Sequence, residues 1–486
     1  MEIRDASPLN PGSLSVDFSS MRIGKFLLVM IAASGCNSDD TATGSDTDGD
    51  EDDGTTTGAA QPPGTSTSPA TTSDAAPTTG DGGSETTGSV EPPTTGEPEP
   101  TTGDDTTGGV EPPGWVPKGC PEIYSQDILP TFEIELSPSE LAGLKAEWEA
   151  ADDDNKPEHP VKQFKYQDQI ITNASVRLRG NDTWWHGQNK MQLEVSFNTY
   201  NKKGRFQGLK KILFDAAEYN RTFLRDRLAM HILRDVGLPA PCANNARLML
   251  NGEYYGLFTS IEKVDSEFIE RYFEFDEGNL YKKGGRWEKK TNEENPDESD
   301  IKAFDAADAL AELAPLMNLD EAVLAWAAEA VIPDNDGAWA GGLNLYLYND
   351  PKTGFNIIPW DKDATFDRVE PNVDPYTYIK PNDKGRPQYE IVTADPEWFA
   401  RYIAAIEHVL ATGYDVGVLH ARMDAWSAQI EAAALSDVNK PFTNKQYHSA
   451  VKEMREFIAE RAAFVDDWLD CWRGGGKKGD TGQCVP

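Results

Sequence analysis

Three groups of oxygen-bearing side chains lie close together in this 486-residue chain: Asp334-Asn335-Asp336, Asn344, and Asp361-Lys362-Asp363. Residues 343–348 and 355–359, joined by a polar turn at 349–354, read as a β-hairpin. Asn344 then opens one strand, and Asp361 follows the other just after Trp360. A hairpin sets the outer ends of its two strands side by side, so carboxylates and an amide would converge there. Such a donor set suits a hard divalent cation such as Mg2+. Asp and Asn also make ordinary turns, so no one of these residues is informative alone. Other chemistries find little support: the six histidines show no HxxxH spacing, and GxSxG, Walker A and GxGxxG motifs are absent.

The elements needed to hold that hairpin can be read on either side of it. Residues 132–136 alternate like a strand, and Ser137-Pro138-Ser139-Glu140 supplies an N-cap, a proline at N1 and a capping-box glutamate for a helix to about Ala151. Strand-like runs follow at 161–166, 170–179 and 191–197. Leu224, Leu228, Ile232 and Val236 recur at helical spacing before Gly237, a C-cap residue. Residues 246–250, an Asn251-Gly252 turn and 255–264 form a first hairpin. Helical patterns occupy 320–331, 398–411, 416–435 and 445–472. Strands early and helices late predict an α+β domain over 114–472, with a Gly/Lys-rich tail at 473–486.

The formal net charge is −37. Residues 37–113 hold seventeen Asp or Glu and no Lys or Arg, which leaves about −20 for residues 114–486. That field opposes nucleic-acid binding. The 37–113 stretch is Thr, Gly, Asp, Ser, Pro and Glu with near-repeats such as Pro93-Thr94-Thr95-Gly96 and Pro100-Thr101-Thr102-Gly103, and it predicts a disordered, extended tether. Before it, Arg22 and Lys25 precede an apolar run at 26–33 that is too short to span a bilayer, which takes about 20 residues. Ala33-Ser34-Gly35-Cys36 resembles a bacterial lipobox, so residues 1–36 predict a lipoprotein signal, with Met21 a candidate true start and Cys36 the lipidated residue. An exported protein held at the cell envelope by lipid alone is the expected state. Cys120, Cys242, Cys471 and Cys484 remain, an even number for an oxidising compartment. Three pairings are open; Cys471 with Cys484 would staple the tail.

Several motifs, in order, resemble the CotH family, spore coat protein H and its relatives, which are similar to atypical protein kinases. They are Arg177-Leu178-Arg179-Gly180-Asn181-Asp182-Thr183-Trp184, Leu224-Arg225-Asp226-Arg227-Leu228-Ala229, Leu250-Asn251-Gly252-Glu253-Tyr254-Tyr255-Gly256-Leu257-Phe258, and Glu262-Lys263-Val264-Asp265. The last runs from Asn335-Asp336 through Asn344 to Pro359-Trp360-Asp361-Lys362-Asp363-Ala364-Thr365-Phe366. The resemblance implies a kinase-like fold and transfer of phosphate from ATP, with Mg2+ or Mn2+, to Ser or Thr of another exported protein. It places Asp336 at the acceptor hydroxyl and Asn344 with Asp361 or Asp363 on the metal. Arg179 and Lys190 would face the phosphates, and Glu262 would sit in a hinge beside the adenine. The same resemblance also permits a catalytically silent, surface-tethered binding module of adhesin type.

Overall fold

The computed structural model describes residues 119–150, 156–180, 190–218, 220–380 and 385–486. Cys36, the tether, Trp184 and Trp185 lie outside them. Short runs of alternating burial build the first half: β1 (Thr131–Glu135), α1 (Pro138–Ala150), β2 (His159–Pro160), β3 (Gln163–Tyr166), β4 (Gln169–Ile171), β5 (Ser175–Leu178), β6 (Leu193–Ser196) and β7 (Lys211–Asp215). Next come α2 (Arg225–Asp235), β8 (Ala243–Leu250) and β9 (Glu253–Glu262). These strands form one nine-stranded sheet in the order β2-β5-β6-β7-β9-β8-β1-β3-β4. The run expected over 170–179 is thus two strands, β4 and β5, which pair at different places in the sheet.

Period-two alternation puts the two faces of this sheet into different cores. On β7, Ile212 and Phe214 join Phe132, Phe164, Tyr166, Phe197 and Phe206 in an aromatic cluster on one face. Leu213, between them, packs with α2 into the larger core on the other. Local signals set the turns. Asn251 and Gly252 both take positive φ, 51° and 83°, as a tight hairpin of that type requires. Gly237, at φ 95°, ends α2, and the Leu238 N–H reaches back to the Leu233 carbonyl at 3.0 Å. At α1, Ser137 Oγ accepts from the Glu140 N–H, but the Glu140 carboxylate turns to His159 at 2.9 Å instead of closing the box.

After β9 come α3 (Ser266–Tyr272), the hairpin β10 (Leu280–Lys283) and β11 (Trp287–Lys289), and three helices, α4 (Ser299–Ala306), α5 (Leu310–Leu313) and α6 (Leu319–Val331). The expected second hairpin is β12 (Leu345–Asp350) with β13 (Gly354–Pro359), in a four-stranded sheet ordered β11-β10-β12-β13. Helices α7 (Pro387–Ala394), α8 (Pro396–Thr412), α9 (Val416–Ser436) and α10 (Asn444–Arg473) complete the helical half, followed by a small ribbon of β14 (Lys477–Lys478) and β15 (Cys484–Val485). Among the described residues, no helix is long and apolar enough to cross a membrane. Two disulfides form, Cys120–Cys242 across 122 residues and Cys471–Cys484 across 13. By loop-closure entropy the first is worth about 4–5 kcal/mol against the unfolded chain.

Strand β13 lies at a sheet edge, and α6 meets it with a buried carboxyl: Glu321 accepts the Ile357 N–H at 2.9 Å. Burial pushes the Glu321 pKa up to about 8, against the lowering effect of that hydrogen bond. The folded state therefore holds a proton that the unfolded state releases above about pH 4.5. The stability this group contributes is complete below that value and is lost as pH rises through about 8. Glu321→Gln keeps an acceptor for Ile357 and cannot ionise. Melting curves from pH 5 to 9 should show the wild type losing ground to this variant as pH rises.

Candidate active site

Helix α6 ends at Val331, where its last carbonyls need partners. Arg461, wholly buried on α10, donates to the Ala330 carbonyl at 2.7 Å and the Val331 carbonyl at 3.3 Å, and also to Pro371 and Val373. The chain then turns through Asp334-Asn335-Asp336. The Asp336 N–H donates to Asp334 Oδ1 at 3.0 Å, and Asn335 N–H donates to the Ala364 carbonyl at 3.1 Å. This loop is therefore tied to the segment that follows β13.

The hairpin does what its pattern predicts. Leu345 pairs with Pro359, and the Trp360 N–H donates to the Asn344 carbonyl at 3.1 Å. That places Asn344 beside the start of Asp361. Asn344 Nδ2 donates to Asp336 Oδ2 at 2.8 Å, and Lys380 pairs with the other oxygen of Asp336. Asp336, Asn344 and the Asp361 segment therefore meet at the open end of β12–β13. Asn344 and Asp361 both hold left-handed backbone, φ 48° and 54°, as does Phe366 at 56°. Strain of this kind concentrates where a side chain must be aimed.

Two carboxylates that sequence reasoning did not single out complete the group. Asp215 ends β7 and Asp226 lies in the first turn of α2. Asp226 accepts the Lys362 N–H at 3.0 Å. Burial raises the Asp226 pKa to about 8, helped by the charges of Asp215 and Asp361. Asp361 is raised by burial and by Asp215, and Asp363 is raised well above the usual carboxylate range by burial, then Asp361, Asp226 and Asp215. Arg179 faces them, donating to Asp215 at 2.9 Å and to Gln192 at 3.0 Å, and the charge of Arg368 also acts on Asp363. Burial works against the Arg179 charge, yet Asp215 and Asp361 leave its pKa raised.

This donor set fits a hard divalent cation, because it is all oxygen and carries more negative charge than Arg179 offsets. Asn344 turns its amide nitrogen to Asp336, which leaves its oxygen to meet an ion. Among the described residues no three acidic, His or Cys side chains are already gathered at ligand spacing, so the carboxylates would have to close around an ion.

Two of the expected nucleotide-facing side chains are buried, at 1% exposure for Lys190 and 0% for Glu262. The Lys190 ammonium is bonded to the Leu257 carbonyl at 2.6 Å and to Asp437 at 2.9 Å. Burial lowers its pKa despite Asp437. The Glu262 side chain is likewise held inside the protein. Its carboxylate is fully buried against Arg271 at 2.5 Å and the Cys242 N–H at 3.0 Å, which fixes the end of β9 near the Cys120–Cys242 disulfide. Lys211 lies on the same sheet face as Arg177 and Arg179. Cross-strand register places Arg177 opposite Glu194 and Glu194 opposite Leu213, two residues from Lys211. Lys211 sits 3.1 Å from Glu194, which Arg177 and Lys263 also approach. Burial alone would raise Glu194; Lys263, Lys211 and Arg177 hold it well below the usual range.

A strand-rich half carrying one helix beside its sheet, a helix-rich half, and an acid-flanked hairpin together make an α+β domain. The sequence profile of the CotH kinase protein family matches residues 176–465, and the chain belongs to that family. It is 24% identical to inner spore coat protein H of Bacillus subtilis (strain 168) over 380 residues, 71% of this chain and 99% of that protein. Two solved structures align more loosely, each at 12% identity. One is a chain of the Shewanella oneidensis MR-1 toxin–antitoxin complex of HipA, HipB and operator DNA, at TM-score 0.28, covering 54% of this chain and 60% of that one. The other is the Helicobacter pylori proinflammatory kinase CtkA, at TM-score 0.29, covering 58% and 93%.

Proposed function

We propose that this chain is an exported, lipid-anchored phosphotransferase that moves the γ-phosphoryl group of ATP to a Ser or Thr hydroxyl of a protein at the cell envelope. The observation that carries this reading is the meeting of Asp336, Asn344 and Asp361 at one end of β12–β13. Export is supported by the two disulfides, which use every cysteine among the described residues. Asp336 orients the acceptor hydroxyl and takes its proton, while Asn344 holds that carboxylate in place. Arg179, just past β5 and beside Asp215, would meet phosphate charge. Mg2+ or Mn2+, held by Asn344 with Asp361 or Asp363, would neutralise charge on the transferring group. Positioning and charge neutralisation account for most of such catalysis, so these few groups suffice.

The test is the full chain with ATP labelled on the γ-phosphate and, in parallel, on the α-phosphate. Label from γ should appear on protein and should vanish in Asp361→Asn. Label from α alone would mean nucleotidyl transfer instead. No label, together with no rise in melting temperature on adding ATP and Mg2+, would overturn the reading in favour of a binding module.

A further inference from the structure

The β10–β11 hairpin is a basic island in an acidic chain. Residues 280–291 carry Lys282, Lys283, Arg286, Lys289 and Lys290 against Glu288 alone, whereas the chain holds 45 Lys and Arg against 82 Asp and Glu. Register places this hairpin relative to the site. Leu280 pairs with Tyr348 and Lys282 with Tyr346, so the strand runs towards Asn344 and its turn, Gly284-Gly285-Arg286, overhangs the catalytic end of the sheet. The two ends of the hairpin differ in charge, with Lys289 and Lys290 lying at the end away from the turn. The turn end holds Lys283 and the exposed Arg286 and no acid, while at the other end Lys289 and Lys290 are met by the acidic segment Glu293, Glu294, Asp297, Glu298 and Asp300. Lys283 lies over the Trp287 ring at 4.3 Å, which stiffens the turn. Lys282 also lies near enough to Asp361 for its charge to act there.

The chain itself carries a complementary segment outside the described residues. Thr-Thr-Gly recurs at 56–58, 78–80, 86–88, 94–96, 101–103 and 106–108. Five of the six touch an acid directly: Asp81, Glu85, Glu97, Asp104 and Asp105. Each of these five units thus pairs acceptor hydroxyls with the charge a basic turn would hold. Reach is sufficient. An extended chain covers about 3.3–3.6 Å per residue, so Thr95 can lie up to about 80 Å from Gly119. A folded body of this size has a radius of gyration of about 21 Å.

We propose that the β10–β11 turn docks this acidic Thr-rich tether and presents its Thr-Thr-Gly units to Asp336 as phosphoryl acceptors. This rests on the phosphotransferase reading above. In the step, a Thr Oγ bonds to the γ-phosphorus of ATP, the bond from that phosphorus to the β–γ bridging oxygen breaks, ADP leaves, and the hydroxyl proton passes to the Asp336 carboxylate.

The test uses the full chain and two readouts, one independent of catalysis. Zero-length carbodiimide cross-linking, mapped by mass spectrometry, should join Lys282 or Lys283 to acids between Asp81 and Asp105. These links should drop at least fivefold in 0.5 M NaCl and in Lys283→Glu/Arg286→Glu. Incubation with ATP and Mg2+ should place phosphate on the Thr-Thr-Gly units, and the double variant should lower it at least tenfold while transfer to an added neutral Ser/Thr peptide holds. Absence of the cross-links overturns the docking proposal whatever the enzyme does. Transfer to the added peptide with an unlabelled tether overturns it while leaving the phosphotransferase reading intact. Equal loss on both acceptors, with weaker ATP binding, assigns the turn to the nucleotide and also overturns it. Cross-links present with no transfer to any acceptor would leave the docking standing, and would overturn the acceptor role together with the phosphotransferase reading.

Discussion

Lys362→Met should cost this protein about 3–5 kcal/mol of stability, the usual result of stranding buried charge by removing one partner. The lysine is wholly buried between Asp361 and Asp363, and its ammonium meets Glu329 of α6 at 2.8 Å and Asp334 of the following loop. Both carboxylates are also fully buried. Burial opposes the lysine charge, but Asp334 and Glu329 leave its pKa raised. Without it, two carboxylates face each other in the interior. Glu329 is already pushed up to about 6 by burial with the lysine present. The variant's deficit should therefore widen from pH 5 to pH 8, as the carboxyls that protonate in the folded state are forced to ionise. Denaturant melts at both pH values measure this, and adding Glu329→Gln should recover part of the loss. A deficit below about 1 kcal/mol would show that water reaches the triad.

The triad matters to the site as well as to stability. Glu329 accepts the Trp339 N–H at 2.8 Å, and Asp334 accepts the Asp336 N–H. The Lys362 backbone N–H holds Asp226. A Cβ at Gly337 would collide with both carboxylates, so the loop can pass this close only through glycine. One buried lysine thus fixes the loop of Asp336 against the segment of Asp361 and Asp363.

The hairpin and the long helices were legible because their signals are long and local. Asn251-Gly252 marks one turn, and α6, α8, α9 and α10 each run 13 residues or more. The short elements between Ser266 and Leu313 gave no such signal. In the site, Asp336, Asn344 and Asp361 could be read because they flank one hairpin. Asp215 and Asp226 could not, since each sits at the end of an otherwise ordinary element. An acid in the first turn of a helix reads as a helix-dipole partner. The available signal was the Arg225-Asp226-Arg227 run, three charged residues on consecutive positions that are all buried. Lys190 and Lys211 show the other limit. Sequence distance to a strand does not say which way a lysine points; the pairing of β5, β6 and β7 does, and it puts Lys211 on the Arg179 face.

The largest effect expected on activity is that of Asp336→Asn. The substitution preserves size and still offers an oxygen to Asn344, so the loop should keep its shape. What it removes is the group that accepts a proton from the acceptor hydroxyl. General-base assistance contributes about 10²- to 10⁴-fold, and kcat should fall by that factor. Nucleotide binding should survive, because Arg179 and the acids at Asp215, Asp226, Asp361 and Asp363 are untouched. The ATP-induced rise in melting temperature is therefore expected to match the wild type within error. Asp361→Asn should behave differently, since it removes charge where the cation would sit, and should lower both the rate and the ATP-dependent shift. If Asp336→Asn instead abolished the thermal shift while leaving residual transfer high, Asp336 would be a ligand of the nucleotide complex and the acceptor would be oriented by another group. Lys380, its ion-pair partner, is the next side chain to test, because losing the carboxylate charge frees that ammonium to meet phosphate.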